Sequence, residues 1–132
     1  MKDMILIIYE VGGLKGWGLY VDGSEYNDKH DSNNIKVCYH QYNKTKFKIQ
    51  THSDGTHGIT VANGQFADWT LTLVPHPRKN NIYYLTVSDN TSDYWYFDQI
   101  KNLGWDNTKV ILRNQYKNNN ILGYKHGDWK RN

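Results

Sequence analysis

The chain is poor in the residues that build helices and covalent frameworks. It has one cysteine, Cys38, so no internal disulfide and no multi-cysteine zinc site is available to it. Alanine occurs only at Ala62 and Ala67, and glutamate only at Glu10 and Glu25, although the sequence has eleven aspartates. Alanine and glutamate lose little side-chain freedom in a helix, so their scarcity argues against long helices. The longest apolar run, Met4-Ile5-Leu6-Ile7-Ile8-Tyr9, ends at Glu10. That is far from the roughly 20 residues of a membrane-spanning helix, and it lacks the cleavage pattern of a signal peptide. The expectation is a cytoplasmic protein without membrane insertion, reaching any outside target by lysis or a non-classical route. Also missing are a glycine-rich phosphate loop, a kinase motif set and a Gly-x-Ser-x-Gly elbow. Catalysis therefore has no motif to rest on, and the expectation is a non-enzyme with no cofactor.

What the chain has instead is aromatic and turn-forming. Five Trp, eleven Tyr and three Phe stand among fifteen Asn and eleven Gly. Tyr, Trp, Thr and Val suit strands, while Asn, Asp and Gly suit turns that visit positive φ. The length of 132 residues is that of a single domain, 1–132. The net charge of +3 is mild and mostly scattered. Lys44, Lys46 and Lys48 alternate with Thr45, Phe47 and Ile49, which reads as the solvated face of a strand rather than a nucleic-acid tract.

Strands are predicted over 4–11, 17–21, 35–42, 45–51, 58–61, 69–74, 82–87, 94–97, 108–112 and 121–124. Asn43-Lys44 reads as the turn of a hairpin between 35–42 and 45–51. Asn63-Gly64 reads as a type I′ turn, with positive φ at both residues. In 69–74, Leu71 and Leu73 share one face and Thr70 and Thr72 the other. Pro75 and Pro77, the only prolines, end that strand. Residues 98–103 read as one helical turn. About ten short strands with frequent turns imply an all-β fold, either a β-trefoil or a compact β-sandwich or barrel.

A loose internal repeat favours the trefoil. Ile59-Thr60-Val61 precedes Trp69 by the same spacing as Leu85-Thr86-Val87 precedes Trp95. The segments beginning at Leu19 and Leu122 are looser relatives, and the offsets between copies are 40, 26 and 37. A β-trefoil needs three units, but a fixed period is missing. Trp95, the run Ile100-Lys101-Asn102-Leu103-Gly104-Trp105-Asp106 and the run Asn120-Ile121-Leu122-Gly123-Tyr124 together resemble one blade of the tachylectin-type sugar-binding propellers. One blade does not close a propeller, and the Gln-x-Trp triplet of ricin-type trefoil lectins is missing. The resemblance implies a class, small β lectins, and transfers no individual site.

The residues themselves lead to the same class. Acids recur beside aromatic rings at Asp68-Trp69, Asp93 with Trp95, Trp105-Asp106 and Asp128-Trp129. A sugar presents an apolar C–H face and a rim of hydroxyls, which call for a flat ring and for carboxylate or amide groups. Asn90 and His126 stand beside these pairs, on candidate turns where a rigid β scaffold would expose them. The expected ligand-binding set is thus Asp68, Trp69, Asn90, Asp93, Trp95, Trp105, Asp106, His126, Asp128 and Trp129. The expected partners are glycans or glycoconjugates, with no nucleic acid, and homo-oligomerisation would raise avidity. A protein- or membrane-surface-recognition domain, toxin-associated, is the alternative, since exposed aromatics mark such interfaces too. The six histidines fit no compact metal signature, so no metal site is expected. His52 and His57 flank Asp54 in a turn that would either hold a ligand or cap itself. Cys38 reads as a small buried hydrophobe.

Overall fold

The structure, a computed structural model, describes residues 2–8, 17–24, 26, 35–75, 83–104 and 107–115. These residues form nine strands and no helix: β1 (Lys2–Ile8), β2 (Gly18–Asp22), β3 (Lys36–His40), β4 (Lys46–Thr51), β5 (His57–Val61), β6 (Thr70–Pro75), β7 (Tyr83–Ser88), β8 (Tyr94–Gly104) and β9 (Asn107–Asn114). The all-β expectation is met. The expected strand at 121–124 lies outside the described residues.

Seven strands form one sheet in the order β4-β1-β9-β8-β5-β6-β7, and β4 also pairs with β5. The pairings therefore run β1–β4–β5–β8–β9 and return to β1. β1 is antiparallel to β4 (Met4↔Phe47) and parallel to β9 (Leu6↔Thr108). β5 meets β8 at His57↔Trp95 and β6 at Thr60↔Thr70 along the same edge, so β6 and β7 branch off there. β2 and β3 make a separate two-stranded sheet. The Thr86 hydroxyl donates to the Ile35 carbonyl at 2.8 Å, tying the start of that sheet to β7.

Alternation explains what faces inward. β9 buries Thr108, Val110, Leu112 and Asn114 and leaves the residues between them half-exposed. β4 buries Phe47 and Ile49 and turns Lys46, Lys48 and Gln50 outward, as the lysine spacing predicted. The buried apolar residues gather into one cluster that includes Leu6, Leu19, Val37, Phe47, Ile59, Leu71, Leu85, Trp95 and Leu112.

Three local expectations are overturned. β3 and β4 form no hairpin, because β3 pairs with β2 while both edges of β4 are taken by β1 and β5. Residues 98–103 continue β8 instead of forming a helical turn. An extra residue is inserted between Asp98 and Lys101 and another between Asn102 and Gly104, with φ of 49° at Gln99 and 80° at Gly104. Such bulges keep pairing with β9 while bending the strand. At Asn63-Gly64 only Gly64 has positive φ, at 86°, so no type I′ turn forms, and residues 62–69 make a longer loop. Two further details differ. Thr72 is buried like Leu71 and Leu73, because Asp93 covers its side of β6, and Cys38 is half-buried.

The two best-matched repeat segments are also placed differently. β5 is bonded to β4, β6 and β8, whereas among the described strands β7 is bonded to β6.

Candidate functional site

The described residues form a half-open cleft of about 560 Å³, within the 300–1,000 Å³ typical of ligand sites. Three chain segments that are remote in sequence build it: the end of β2 with its turn (Tyr20 to Ser24), the entry to β4 (Lys44 to Lys46), and the loop after β5 (Val61, then Asn63 to Phe66).

Backbone hydrogen bonds hold these segments in place. Thr45 clasps β2 twice: its N–H donates to the Leu19 carbonyl at 2.8 Å, and its hydroxyl accepts the Val21 N–H at 2.9 Å. The Ala62 N–H donates to the Lys46 carbonyl at 3.0 Å, which ties the loop to β4. The loop is braced internally by Ala67 N–H to Gly64 O, Asp68 N–H to Val61 O, Trp69 N–H to Phe66 O and Val61 N–H to Trp69 O, at 2.8 to 3.2 Å. Residues on such a loop keep their positions without a ligand, which lowers the ordering cost of binding.

The lining combines rings with hydrogen-bonding groups. Tyr20 is half-buried and set edge-on to His40 at 5.4 Å. Phe66 is buried and packs at 5.0 to 5.5 Å against Trp69 and Tyr26 behind the cleft. The Gly23 backbone lies directly on the Phe66 ring. A Cβ at Gly23 would come within 2.2 Å of a ring carbon. Asp22 accepts the Ser24 N–H at 3.0 Å through Oδ1, which closes the turn. Asn63 and Gln65 are exposed at the mouth.

The sequence-predicted residues are dispersed by comparison. Asp68, with φ of 70°, is exposed and pairs with Lys48. Trp69 is half-buried, with the rings of Tyr26 and Phe66 edge-on to it, so it backs the cleft wall. Trp95 is 0% exposed and its indole N–H donates to the Leu71 carbonyl at 3.0 Å. It is a core anchor with no face to offer a ligand. Asp93 is a brace: its Oδ2 accepts from the Thr72 hydroxyl at 2.5 Å, the Leu73 N–H at 3.3 Å and the Asn114 amide at 3.2 Å. Asn90 is exposed, and its Oδ1 accepts the Ser88 hydroxyl at 2.6 Å in the turn before β8. Trp105, Asp106, His126, Asp128 and Trp129 lie outside the described residues. Of the described acid–aromatic residues, Trp69 lies at the back of the cleft; Tyr20, Asn63, Gln65 and Phe66, which line it, stand outside those pairs. The Asn63-Gly64 turn signal at its rim is readable in the sequence, but its adjacency to the 22–24 turn is not.

A second polar cluster sits on the turn between β4 and β5. The Thr56 hydroxyl donates to Asp54 at 2.7 Å, and the Thr56 N–H adds a bond at 3.0 Å. These two bonds hold the Asp54 carboxyl below its usual pKa. With the Thr56 proton committed to Asp54, the 3.1 Å contact to His52 requires the His52 Nδ1–H to donate. His57 stacks on Phe97 at 4.0 Å, and burial, with His52 nearby, lowers its pKa below 6.5. This turn caps itself. Among the described residues no three His, Cys, Asp or Glu side chains converge as a metal site. The chain matches no family model, and neither the curated proteins nor the solved structures include one similar to it, which leaves the chemistry of the cleft as the ground for a functional reading.

Proposed function

We propose that this protein is a non-catalytic carbohydrate-binding protein and that the cleft between the 22–24 turn, the start of β4 and the 62–66 loop is its sugar site. The observation that carries the reading is the lining. Tyr20 offers a half-exposed ring for an apolar sugar face, and Asp22, Ser24, Asn63 and Gln65 surround it with acceptors and donors for hydroxyls. Such a site binds weakly alone, so homo-oligomers or clustered glycans would supply avidity. On the cycle of pairings we read the finer architecture as a small barrel, with β6–β7 branching from it and β2–β3 packed alongside.

A glycan array probed with labelled protein tests the reading, alongside Tyr20→Ala and Asn63→Ala/Gln65→Ala variants of unchanged circular dichroism. Binding to related glycans that falls at least tenfold in both variants supports the cleft. A blank array from folded protein, or binding indifferent to both variants, overturns it.

A second reading, recognition of a protein or membrane surface, is favoured by Ile100 and Leu103. They are 56% and 42% exposed on the bulged half of β8. Ile100→Ser/Leu103→Ser would abolish such binding without touching the cleft.

A further inference from the structure

Resting on the carbohydrate reading, we infer that the saccharide taken by the cleft carries an acid group, a carboxylate or a sulfate, which Lys44 and Lys46 receive. The two lysines stand two residues apart at the entry to β4 and both line the cleft. The stem of Lys44 crosses the backbone of Gly18, where a Cβ would lie 3.1 Å from its Cδ. Lys44 is half-buried there, while Lys46 is exposed at the start of the strand.

The contrast with the next lysine on the strand is informative. Lys48 is ion-paired with Asp68 and stands opposite Asp3 in the β1–β4 register. Among the described residues, Lys44 and Lys46 have no ion-pair partner. Among the described residues Asp22 is the one carboxylate in the lining. One of its oxygens is occupied by the Ser24 N–H, and it stands directly across from Lys36 in the β2–β3 register. The lining thus carries an excess of positive charge beside neutral hydrogen-bonding groups, which suits a ligand with hydroxyls and one acid substituent. Charge-assisted hydrogen bonds are about twice as strong as neutral ones, so an ammonium discriminates acidic from neutral sugars. A nucleic-acid strand would need a continued basic track, and pairing of Lys48 ends this one.

The test is a titration of the ¹⁵N-labelled full chain with matched pairs: glucose and glucuronic acid, N-acetylglucosamine and its 6-sulfate. Sodium sulfate and a thymidine oligonucleotide serve as further probes. The expected result is roughly tenfold tighter binding of one or both acidic members, with shifts at Tyr20, Lys44, Lys46, Asn63 and Gln65. In the K44Q/K46Q double variant that preference is expected to collapse towards one. Equal affinity for acidic and neutral members overturns the acid-group inference and leaves the carbohydrate reading standing, as does a preference that survives K44Q/K46Q. Failure of every sugar, with the chain folded, overturns both. Tighter binding of free sulfate or of the oligonucleotide than of any sugar also overturns both, and reassigns the cleft to bare anions or nucleic acid.

Discussion

Trp95 and Gly23 make opposite demands on space. Trp95 fills the core, and its indole N–H satisfies the buried Leu71 carbonyl. Trp95→Ala leaves a cavity and an unpartnered acceptor, and is expected to cost about 3–5 kcal/mol in urea denaturation. Gly23 fills nothing, yet the Phe66 ring occupies the place of its Cβ. Gly23→Ala forces that ring to move and is expected to cost about 1–3 kcal/mol, with altered Phe66 ring signals in NMR spectra. If Gly23→Ala left both stability and those signals unchanged, the cleft wall would be softer than its packing indicates. Neither role is visible in the one-dimensional pattern. An aromatic beside an acid looks the same whether its ring ends in the core, as Trp95 does, or behind a cleft wall, as Trp69 does.

The braces between strands act over longer distances. A single Asp93 oxygen accepts from β6 twice and from the last residue of β9. Asp93→Ala removes that acceptor from buried Thr72 and Asn114 and should cost about 2–4 kcal/mol in denaturant titrations, whereas Asn90→Ala, which removes the acceptor of the single Ser88 hydroxyl, should cost about 1 kcal/mol. At the β4–β5 turn, the lowered pKa of His57 means that folding favours its neutral form. The unfolded chain then binds more protons as pH falls below 6.5, so the His57 contribution is full above that pH and is lost on acidification through the folded value. Denaturation midpoints at pH 7.5 and 5.5 are expected to differ less in His57→Phe than in the parent chain. Strand existence was legible wherever alternation is clean, as at β4, β6 and β9. Partnership was not. Asn43-Lys44 between two good strands has the local form of a hairpin, but β4 meets β1 and β5, and long-range pairing leaves no mark on a four-residue window. The bulges of β8 were missed for a related reason, because Gln99 and Gly104 break the period of two and a broken period reads as loss of strand.

The pairing cycle divides the protein into parts of unequal robustness. β1, β4, β5, β8 and β9 each have neighbours on both edges, whereas β2 and β3 pair with one another. A two-stranded sheet is marginal without support. Native-state hydrogen exchange should therefore place the amides of Leu6, Phe47, Ile59 and Leu112 in the slowest class and those of β2–β3 in a faster one. Exchange at Leu19 and Val37 as slow as at Phe47 would show instead that both sheets open as one unit. Such a difference bears on the cleft, since one of its walls is the end of β2. Composition made the all-β class readable, through its poverty in Ala and Glu. The cleft was not readable, because its three walls are brought together by contacts between segments distant in sequence, such as the β2–Thr45 clasp, the Ala62–Lys46 bond and the packing of Gly23 on Phe66.

The parallel β1–β9 pair also sets an order of events during synthesis. β1 leaves the ribosome roughly 100 residues before its partner β9, an interval of about 5–20 s at typical elongation rates. Through that interval β4 can cover one edge of β1, while the other stays open with Leu6 and Ile7 unburied beside it. The nascent chain thus passes through a stage in which its most apolar strand is available to any other unpaired edge. Crowded expression at high temperature should favour aggregation of incomplete chains, with the finished protein well protected.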